Sequence, residues 1–172
     1  EAKKIVHEEL GSPVESIFSS FSDSVAAASI AQVHKATVKE TKELVAVKIL
    51  RPNVEKVFLK DLAALLFLAK FIEFIIPSFR RLKPTEVINH FERLVREELD
   101  LRMEISAAAE FAENTKSDRN FYVPKVIWSL SGKRVVTTEW VDGMSVGDIE
   151  RIKKSGVGIE SFAKRIIKTF LT

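Results

Sequence analysis

Residues 45–52, with the sequence VAVKILRP, constrain this chain more than any other segment. Their β-branched, apolar character predicts a strand, and Pro52 ends it because proline cannot donate a ladder hydrogen bond. One lysine, Lys48, lies inside the apolar run. An ammonium group next to a protein core needs an anionic partner, because an unpaired buried charge is costly. Lys48 is therefore a candidate for binding a phosphate, and the alternative is a lysine that faces solvent on an edge strand.

A segment rich in small residues precedes this strand. Residues 24–36 have the sequence SVAAASIAQVHKA, and the chain contains no glycine between Gly11 and Gly132. Loops that bind phosphates are commonly rich in glycine, which lets the backbone come close and adopt positive φ. Alanine is also small enough for that approach, but it disfavours positive φ and stiffens the turn. The segment therefore suits phosphate binding through a stiffer loop.

A helical segment downstream of the strand carries several acids. Glu97, Asp100 and Glu104 are spaced at i, i+3 and i+7, so a continuous helix places them on adjacent faces. Spacing alone favours a solvated acidic stripe that pairs with Arg93 and Arg96 along the same helix.

The periodicity of the whole chain predicts a mixture of helices and short strands. A first helix ends at Gly11, since glycine is favoured directly after a last helical turn. Strands are predicted over 25–38 and 44–50, and the segment VVTTEWVDG at 135–143 is typical of a strand that runs into a turn. The other predicted elements are helices over 53–76, 85–114 and 159–171, and a hairpin of 121–130 with 133–141 through Ser131 and Gly132.

The composition excludes several classes of protein. The absence of cysteine excludes a disulfide framework and a thiolate site, and the three histidines are too far apart for a metal site. The net charge of +3 is modest and the charges are mixed along the chain, so nucleic-acid binding is not expected. The apolar stripe of the helix at 53–76 favours packing against the lobe, with a membrane or partner surface as the alternative.

Four segments, in this order, resemble the UbiB family of atypical protein-kinase-like proteins, also called aarF-domain-containing kinases of the ADCK type. They are the alanine-rich loop AAASIAQVH at 26–34, the VAVKILRP strand at 45–52, the ELDLRME helix at 98–104 and the EWVDG turn at 139–143. The family's Lys-x-Gly-Gln motif, its HxDxHxxN catalytic loop and its Asp-Phe-Gly motif do not occur in this sequence. The chain is therefore expected to be a fragment that covers the amino-terminal lobe.

The resemblance implies an α+β fold. The expected architecture is a protein-kinase-like N-lobe with an antiparallel sheet of about five strands and two long flanking helices. Residues 1–141 are expected to form this lobe, with a family-specific helical insertion over about 53–84. Residues 142–172 are expected to contain the exit of the hinge and the first helix of a truncated C-lobe.

The resemblance also assigns roles to individual residues. Lys48 is expected to hold the α- and β-phosphates of ATP, and Glu104 to form the ion pair that fixes Lys48. Glu98 and Asp100 fall in the family's Glu-x-Asp motif, whose Lys-x-Gly-Gln partner is absent, so they are expected to face an empty position. The other expected ATP contacts are backbone N–H groups of Ala26, Ala27, Ala28 and Ser29 at the phosphates, and backbone groups of Glu139 and Val141 at the adenine edge.

The implied function is that of an ATP-binding lobe, in an atypical kinase or ATPase that supports biosynthesis of ubiquinone or related prenyl lipids. Mg²⁺ is the expected cofactor, with its ligands beyond this fragment, so the fragment alone is expected to be inactive. The alternative is a pseudokinase-like module that binds a partner protein or a lipid surface. The expected partners are ATP, a membrane surface and proteins of prenyl-lipid biosynthesis. The expected location is the bacterial cytoplasm at the inner face of the membrane, or else a mitochondrion or plastid.

Overall fold

The computed structural model describes residues 1–118 and 121–171, so Thr172, at the end of the expected C-lobe segment, lies outside the described residues. The described residues form seven α-helices, two 3₁₀ segments and one antiparallel sheet of four strands. The strands are β1 Phe18–Ala27, β2 Ala31–Val38, β3 Leu44–Leu50 and β4 Val135–Glu139. The helices are α1 Ala2–Leu10, α2 Val14–Ile17, α3 Val54–Ile75, α4 Pro84–Glu98, α5 Leu101–Asn114, α6 Ile149–Lys154 and α7 Ile159–Leu171, and the 3₁₀ segments are Pro77–Leu82 and Trp128–Leu130.

The sheet follows the chain order β1-β2-β3-β4, and every neighbouring pair is antiparallel. The predicted lysine strand, β3, lies inside the sheet because it pairs with β2 on one side and with β4 on the other. In this register Lys48 lies between Val33 and Val136. The alternative of a lysine on an edge strand is therefore wrong, and the predicted α+β class with an antiparallel sheet is confirmed.

Side chains of β3 alternate between two hydrophobic cores, as the pleat of a strand requires. One core lies between the sheet and helices α1 and α2, and the other lies between the sheet and helices α3, α4 and α5. Leu50 belongs to the second core, and alternation places Lys48 on the same face. The β3 residues buried in the first core are Val45, Val47 and Ile49.

The prediction of one strand over 25–38 is wrong, because the chain reverses direction after Ala28. The N–H of Ala28 donates to the carbonyl of Ala31 at 2.8 Å, which leaves Ser29 and Ile30 as the turn. Two-residue hairpin turns usually contain positive φ values, but neither of these residues has one. Neither is glycine or asparagine, so the sequence carries no ordinary signal for this turn.

The predicted helix over 85–114 is interrupted and forms two helices, α4 and α5. Leu101 begins α5, and its N–H donates to the carbonyl of Lys133 at 2.9 Å instead of to the preceding turn. Asp100 caps α5 by accepting a hydrogen bond from the N–H of Arg102 at 3.1 Å. The interruption therefore depends on a long-range hydrogen bond together with a local cap.

The expected fifth strand is reduced to one bridge, between Val126 and Thr138, so the sheet has four strands within the described residues. The chain then enters the 3₁₀ segment Trp128–Leu130. The hydroxyl of Ser131 accepts a hydrogen bond from the N–H of Thr137 at 3.0 Å. Because a side-chain oxygen satisfies that N–H, the predicted hairpin does not extend beyond the single bridge.

Helices α1, α3 and α7 match their predicted positions, whereas α6 was not predicted. Gly11 follows α1 with a φ of 71°, and its N–H donates to the carbonyl of His7 at 2.9 Å. None of the helices within the described residues combines the length and the apolar character that crossing a bilayer requires.

Candidate functional site

Both carboxylate oxygens of Glu104 bind the ammonium group of Lys48. The Nζ atom lies 2.6 Å from Oε2 and 2.8 Å from Oε1. Lys48 comes from β3, and Glu104 lies in the first turn of α5, where the helix dipole favours a carboxylate. Their side chains are 31% and 52% exposed, so a ligand can reach the pair from solvent. The expected contact is present, and its role in ATP binding stays a prediction.

The interruption between α4 and α5 separates the acids of the ELDLRME segment. Glu98 is the exposed last residue of α4, Asp100 caps α5, and Glu104 lies in the first turn of α5. The carboxylate of Asp100 accepts hydrogen bonds from Arg102 Nε at 2.8 Å and Nη2 at 2.5 Å. The Asp100 carboxylate is therefore paired with Arg102 within α5, and the empty position that Glu98 and Asp100 were expected to face stays a prediction.

The alanine-rich loop lies at the exposed end of the β1–β2 hairpin. Ala26 and Ala27 are the last residues of β1 and pair with β2, whereas Ser29 lies in the turn. The N–H of Ala28 is already engaged by the carbonyl of Ala31. Of the four amides expected to contact phosphates, the Ala28 N–H is thus occupied in this conformation.

Arg51, which was not among the predicted site residues, connects the alanine-rich loop to the end of β3. Its backbone N–H donates to the carbonyl of Ile30 at 2.8 Å, and its Nε donates to the carbonyl of Ala28 at 3.1 Å. Apart from its position directly after the lysine strand, nothing in the sequence distinguishes this side chain from any other exposed arginine.

Glu139 and Val141 lie at the other end of β3. Glu139 is opposite Val45 in the ladder, and its N–H donates to the carbonyl of Lys125 at 2.9 Å. The hydroxyl of Tyr122 donates a hydrogen bond to the Glu139 carboxylate, and this bond raises the pKa of the Tyr122 phenol. Val141 is exposed. The side chain of Glu139 is therefore engaged within the chain, and adenine recognition by its backbone stays a prediction.

Trp140, between these two residues, forms contacts that no sequence pattern predicts. The ammonium group of Lys35 lies 4.5 Å from the centroid of its ring, a cation–π arrangement. The indole Nε1 donates to Asp142 Oδ1 at 2.8 Å, and the backbone N–H donates to the carbonyl of Leu44 at 3.0 Å. These contacts hold the indole against the sheet.

The three expected parts of an ATP site follow one another along β3. Glu139 pairs with Val45 near its start, Lys48 lies in the middle, and Arg51 holds the alanine-rich loop just past its end. A strand rises roughly 3.3 Å per residue, so this arrangement extends over about 20 Å. The register therefore places the expected adenine edge and the alanine-rich loop at opposite ends of β3, with the ammonium group of Lys48 between them.

Comparison with known proteins identifies the family. A model of the ABC1 atypical kinase-like domain matches residues 1–172. The chain belongs to this family. Similar proteins named "Probable protein kinase UbiB" include those of Aliivibrio fischeri strain MJ11, at 37% identity, and Vibrio parahaemolyticus and Pseudomonas aeruginosa strain LESB58, each at 36%. Each alignment covers 99% of this chain and 32% of the relative, so the chain spans about a third of the length of these curated relatives.

The expected resemblance to the UbiB group is thereby confirmed, and the ABC1 assignment covers all four motif segments. The described residues contain no group of three or more histidine, aspartate or glutamate side chains that could hold a metal ion. Two acids of the ELDLRME segment have defined roles in this ABC1 chain, since Glu104 forms the ion pair with Lys48 and Asp100 caps α5.

Asp100 gives this ABC1 chain a pH-dependent contribution to stability. Hydrogen bonds from the Arg102 guanidinium lower the pKa of the Asp100 carboxyl below its ordinary value. A carboxyl with a lower pKa in the folded state stabilises the fold above its unfolded pKa, and this contribution is lost as pH falls through the folded pKa. Asp100→Ala is expected to lower the free energy of unfolding by about 0.5–2 kcal/mol at pH 7, because the helix cap is lost.

Urea denaturation at several pH values measures this effect. The difference between the wild type and Asp100→Ala should shrink as pH falls below about 3.9, the ordinary pKa of aspartate. Asp100→Asn is the matched control, since asparagine also caps helices and should cost less than alanine. A difference that stays constant down to the pH of acid unfolding would contradict the expectation.

Proposed function

We propose that this chain is the ATP-binding lobe of an ABC1-family atypical kinase or ATPase, and that the longer protein supports biosynthesis of ubiquinone or related prenyl lipids. The observation that carries the proposal is the bidentate contact of Lys48 with Glu104, at 2.6 and 2.8 Å. The alanine-rich loop and the EWVDG segment at opposite ends of β3 support it. The biosynthetic part is drawn from the family resemblance and not from a contact in this chain.

Lys48 and Glu104 suit the task that phosphoryl transfer sets for a nucleotide-binding lobe. That task is mainly to neutralise and position the phosphates. A lysine ammonium has three donors, so Lys48 can bind a phosphate oxygen while it remains paired with Glu104. Glu104 limits the positions that the long lysine side chain can adopt. In this proposal the chain supplies phosphate binding and orientation, and the Mg²⁺ ligands come from the rest of the longer protein.

The test is equilibrium binding of ATP to the full-length protein in the presence of Mg²⁺. We expect saturable binding with a dissociation constant between roughly 1 μM and 1 mM, the range typical of enzyme substrates. Isothermal titration calorimetry measures it directly, and ADP and adenosine titrated in parallel report which part of the nucleotide is recognised.

A second candidate function, binding to a lipid surface, is favoured by the outer face of α3. Phe67, Phe71 and Phe74 follow helical spacing and are 73%, 51% and 78% exposed, whereas Leu62 and Ala69 on the opposite side are buried. The rings of Phe67 and Phe71 stack with centroids 6.4 Å apart. A continuous exposed apolar patch is typical of an interaction surface. These exposed rings lie on the opposite side of α3 from the apolar stripe that was predicted to pack against the lobe, of which Leu62 belongs to the second core and Phe58 packs against it.

The ATP titration separates the two functions. Folded full-length protein that binds no ATP at millimolar concentration, but cosediments with vesicles of phosphatidylcholine and phosphatidylglycerol, would contradict the first proposal and support the second. ATP binding that persists in the absence of vesicles would support the first proposal, whatever the outcome of the vesicle experiment.

A further inference from the structure

The turn that carries the alanine-rich loop lacks the backbone geometry that stabilises most tight hairpins. Ser29 and Ile30 form the turn between Ala28 and Ala31, and neither has a positive φ. Turns whose residues have positive φ match the twist of the flanking strands, whereas turns without it tend to splay them apart. Contacts from outside the hairpin are therefore needed to hold this one closed.

Arg51 supplies two such contacts. Its backbone N–H donates to the carbonyl of Ile30 at 2.8 Å, which extends the β2–β3 ladder one step past its last pair, Ala31 with Leu50. Its side-chain Nε donates to the carbonyl of Ala28 at 3.1 Å. The first bond survives any substitution that keeps a backbone N–H, but the second exists only because residue 51 is arginine.

The hydrogen bond from Arg51 Nε to the Ala28 carbonyl fixes the direction of one N–H group of the loop, that of Ser29. In a trans peptide the C=O and N–H groups point in opposite directions. Because the carbonyl of Ala28 points at the Arg51 guanidinium, the N–H of Ser29 in the same peptide must point away from it. The N–H of Ala28 is bound to Ala31. The Ser29 N–H is thus the loop donor whose orientation depends on Arg51.

We propose that Arg51 is a positioning residue that sets the orientation of the Ser29 N–H toward the phosphates of a bound nucleotide. This inference rests on the proposed ATP-binding function of the lobe. Arg51 does not touch the reacting atoms in this role; it acts through the peptide between Ala28 and Ser29. It makes the alanine-rich loop competent for phosphate binding without the flexibility of glycine.

The test compares Arg51→Met with the wild type in the full-length protein. Methionine keeps an unbranched apolar stem and removes every side-chain donor. We expect the affinity for ATP to fall by about five- to ten-fold, since a hydrogen bond to an anion is misaligned but not abolished. The affinity for adenosine, which has no phosphate, should stay within about two-fold. The matched control is Arg80→Met, because Arg80 Nε also donates to a backbone carbonyl, that of Glu73 at 2.9 Å, far from the loop in sequence.

The outcomes distinguish this inference from the function on which it rests. Wild-type protein that binds neither ATP nor adenosine would overturn the proposed function. Wild-type protein that binds ATP, with Arg51→Met binding it equally well, would overturn the role of Arg51 alone. Equal losses for ATP and adenosine, or an equal loss in Arg80→Met, would mean a general structural effect and would also overturn it.

Discussion

Lys48→Met in the full-length protein should weaken ATP binding by roughly 10- to 100-fold, because it removes a charged hydrogen bond to the phosphates. The fold should tolerate this change. The Lys48–Glu104 pair is 31% and 52% exposed, and pairs this open to solvent contribute about 0.2–1 kcal/mol to stability. A loss of roughly 3–5 kcal/mol would apply only to a buried pair. Calorimetric titration with ATP and urea denaturation of the same samples measure the two effects separately.

Lys133→Met is the matched control for this experiment. Lys133 forms an ion pair with Glu55 across a similar sequence separation, at 3.2 Å and with side chains 40% and 44% exposed. Its replacement should cost about as much stability and leave ATP affinity unchanged. If Lys48→Met binds ATP like the wild type, Lys48 has no role in phosphate binding. If both variants lose affinity equally, the effect of Lys48 is not specific.

Replacement of Ile49, the residue after Lys48 in β3, should lower the stability of the fold and leave ATP affinity unchanged. Ile49 is fully buried in the core against α1 and α2, so Ile49→Ala should lower the free energy of unfolding by about 2–5 kcal/mol. The change removes apolar contacts and leaves a cavity that the surrounding strands can only partly close. The midpoint of urea denaturation measures it, and ATP affinity should stay near the wild-type value under conditions where the variant remains folded.

Ile167→Ala is the control for the loss of the same atoms from an exposed position. Ile167 in α7 is 57% exposed, so its replacement should change stability by less than about 0.5 kcal/mol. A small effect of Ile49→Ala, comparable to that of the control, would contradict the placement of Ile49 in the core. Together with Lys48→Met, these variants test whether one face of β3 serves ATP binding, through Lys48, and the other face serves stability, through Ile49.

The proposed roles of Lys48 and Arg51 have different consequences in this lobe. Lys48 would contact a phosphate directly, so its loss should remove an interaction. Arg51 would orient a backbone donor, so its loss should only misalign one. The larger effect is therefore expected at Lys48, and the difference can be read from the same ATP titrations.

Several features of this chain follow from local sequence. The β-branched run around Lys48 predicts a strand, and strict alternation then places Lys48 on the opposite face from Ile49. Gly11 predicts the end of α1 because the position needs a positive φ, which is 71° here. The same local patterns, taken in order, led to the family that the whole-chain match confirms.

Other features depended on contacts between residues far apart in sequence. Helical propensity continues through 85–114, but the N–H of Leu101 is bound by the carbonyl of Lys133, so the helix is interrupted there. The turn after Ala28 has no glycine, and a side chain from the end of β3 holds it. The hydroxyl of Ser131 takes the N–H of Thr137 and limits the fifth strand to one bridge. Local sequence thus determined three features: the strand that carries Lys48, the face of the sheet on which Lys48 lies, and the end of α1 at Gly11. The tertiary structure decided where the chain breaks and turns, because distant hydrogen-bond partners satisfied backbone groups that no local pattern assigns.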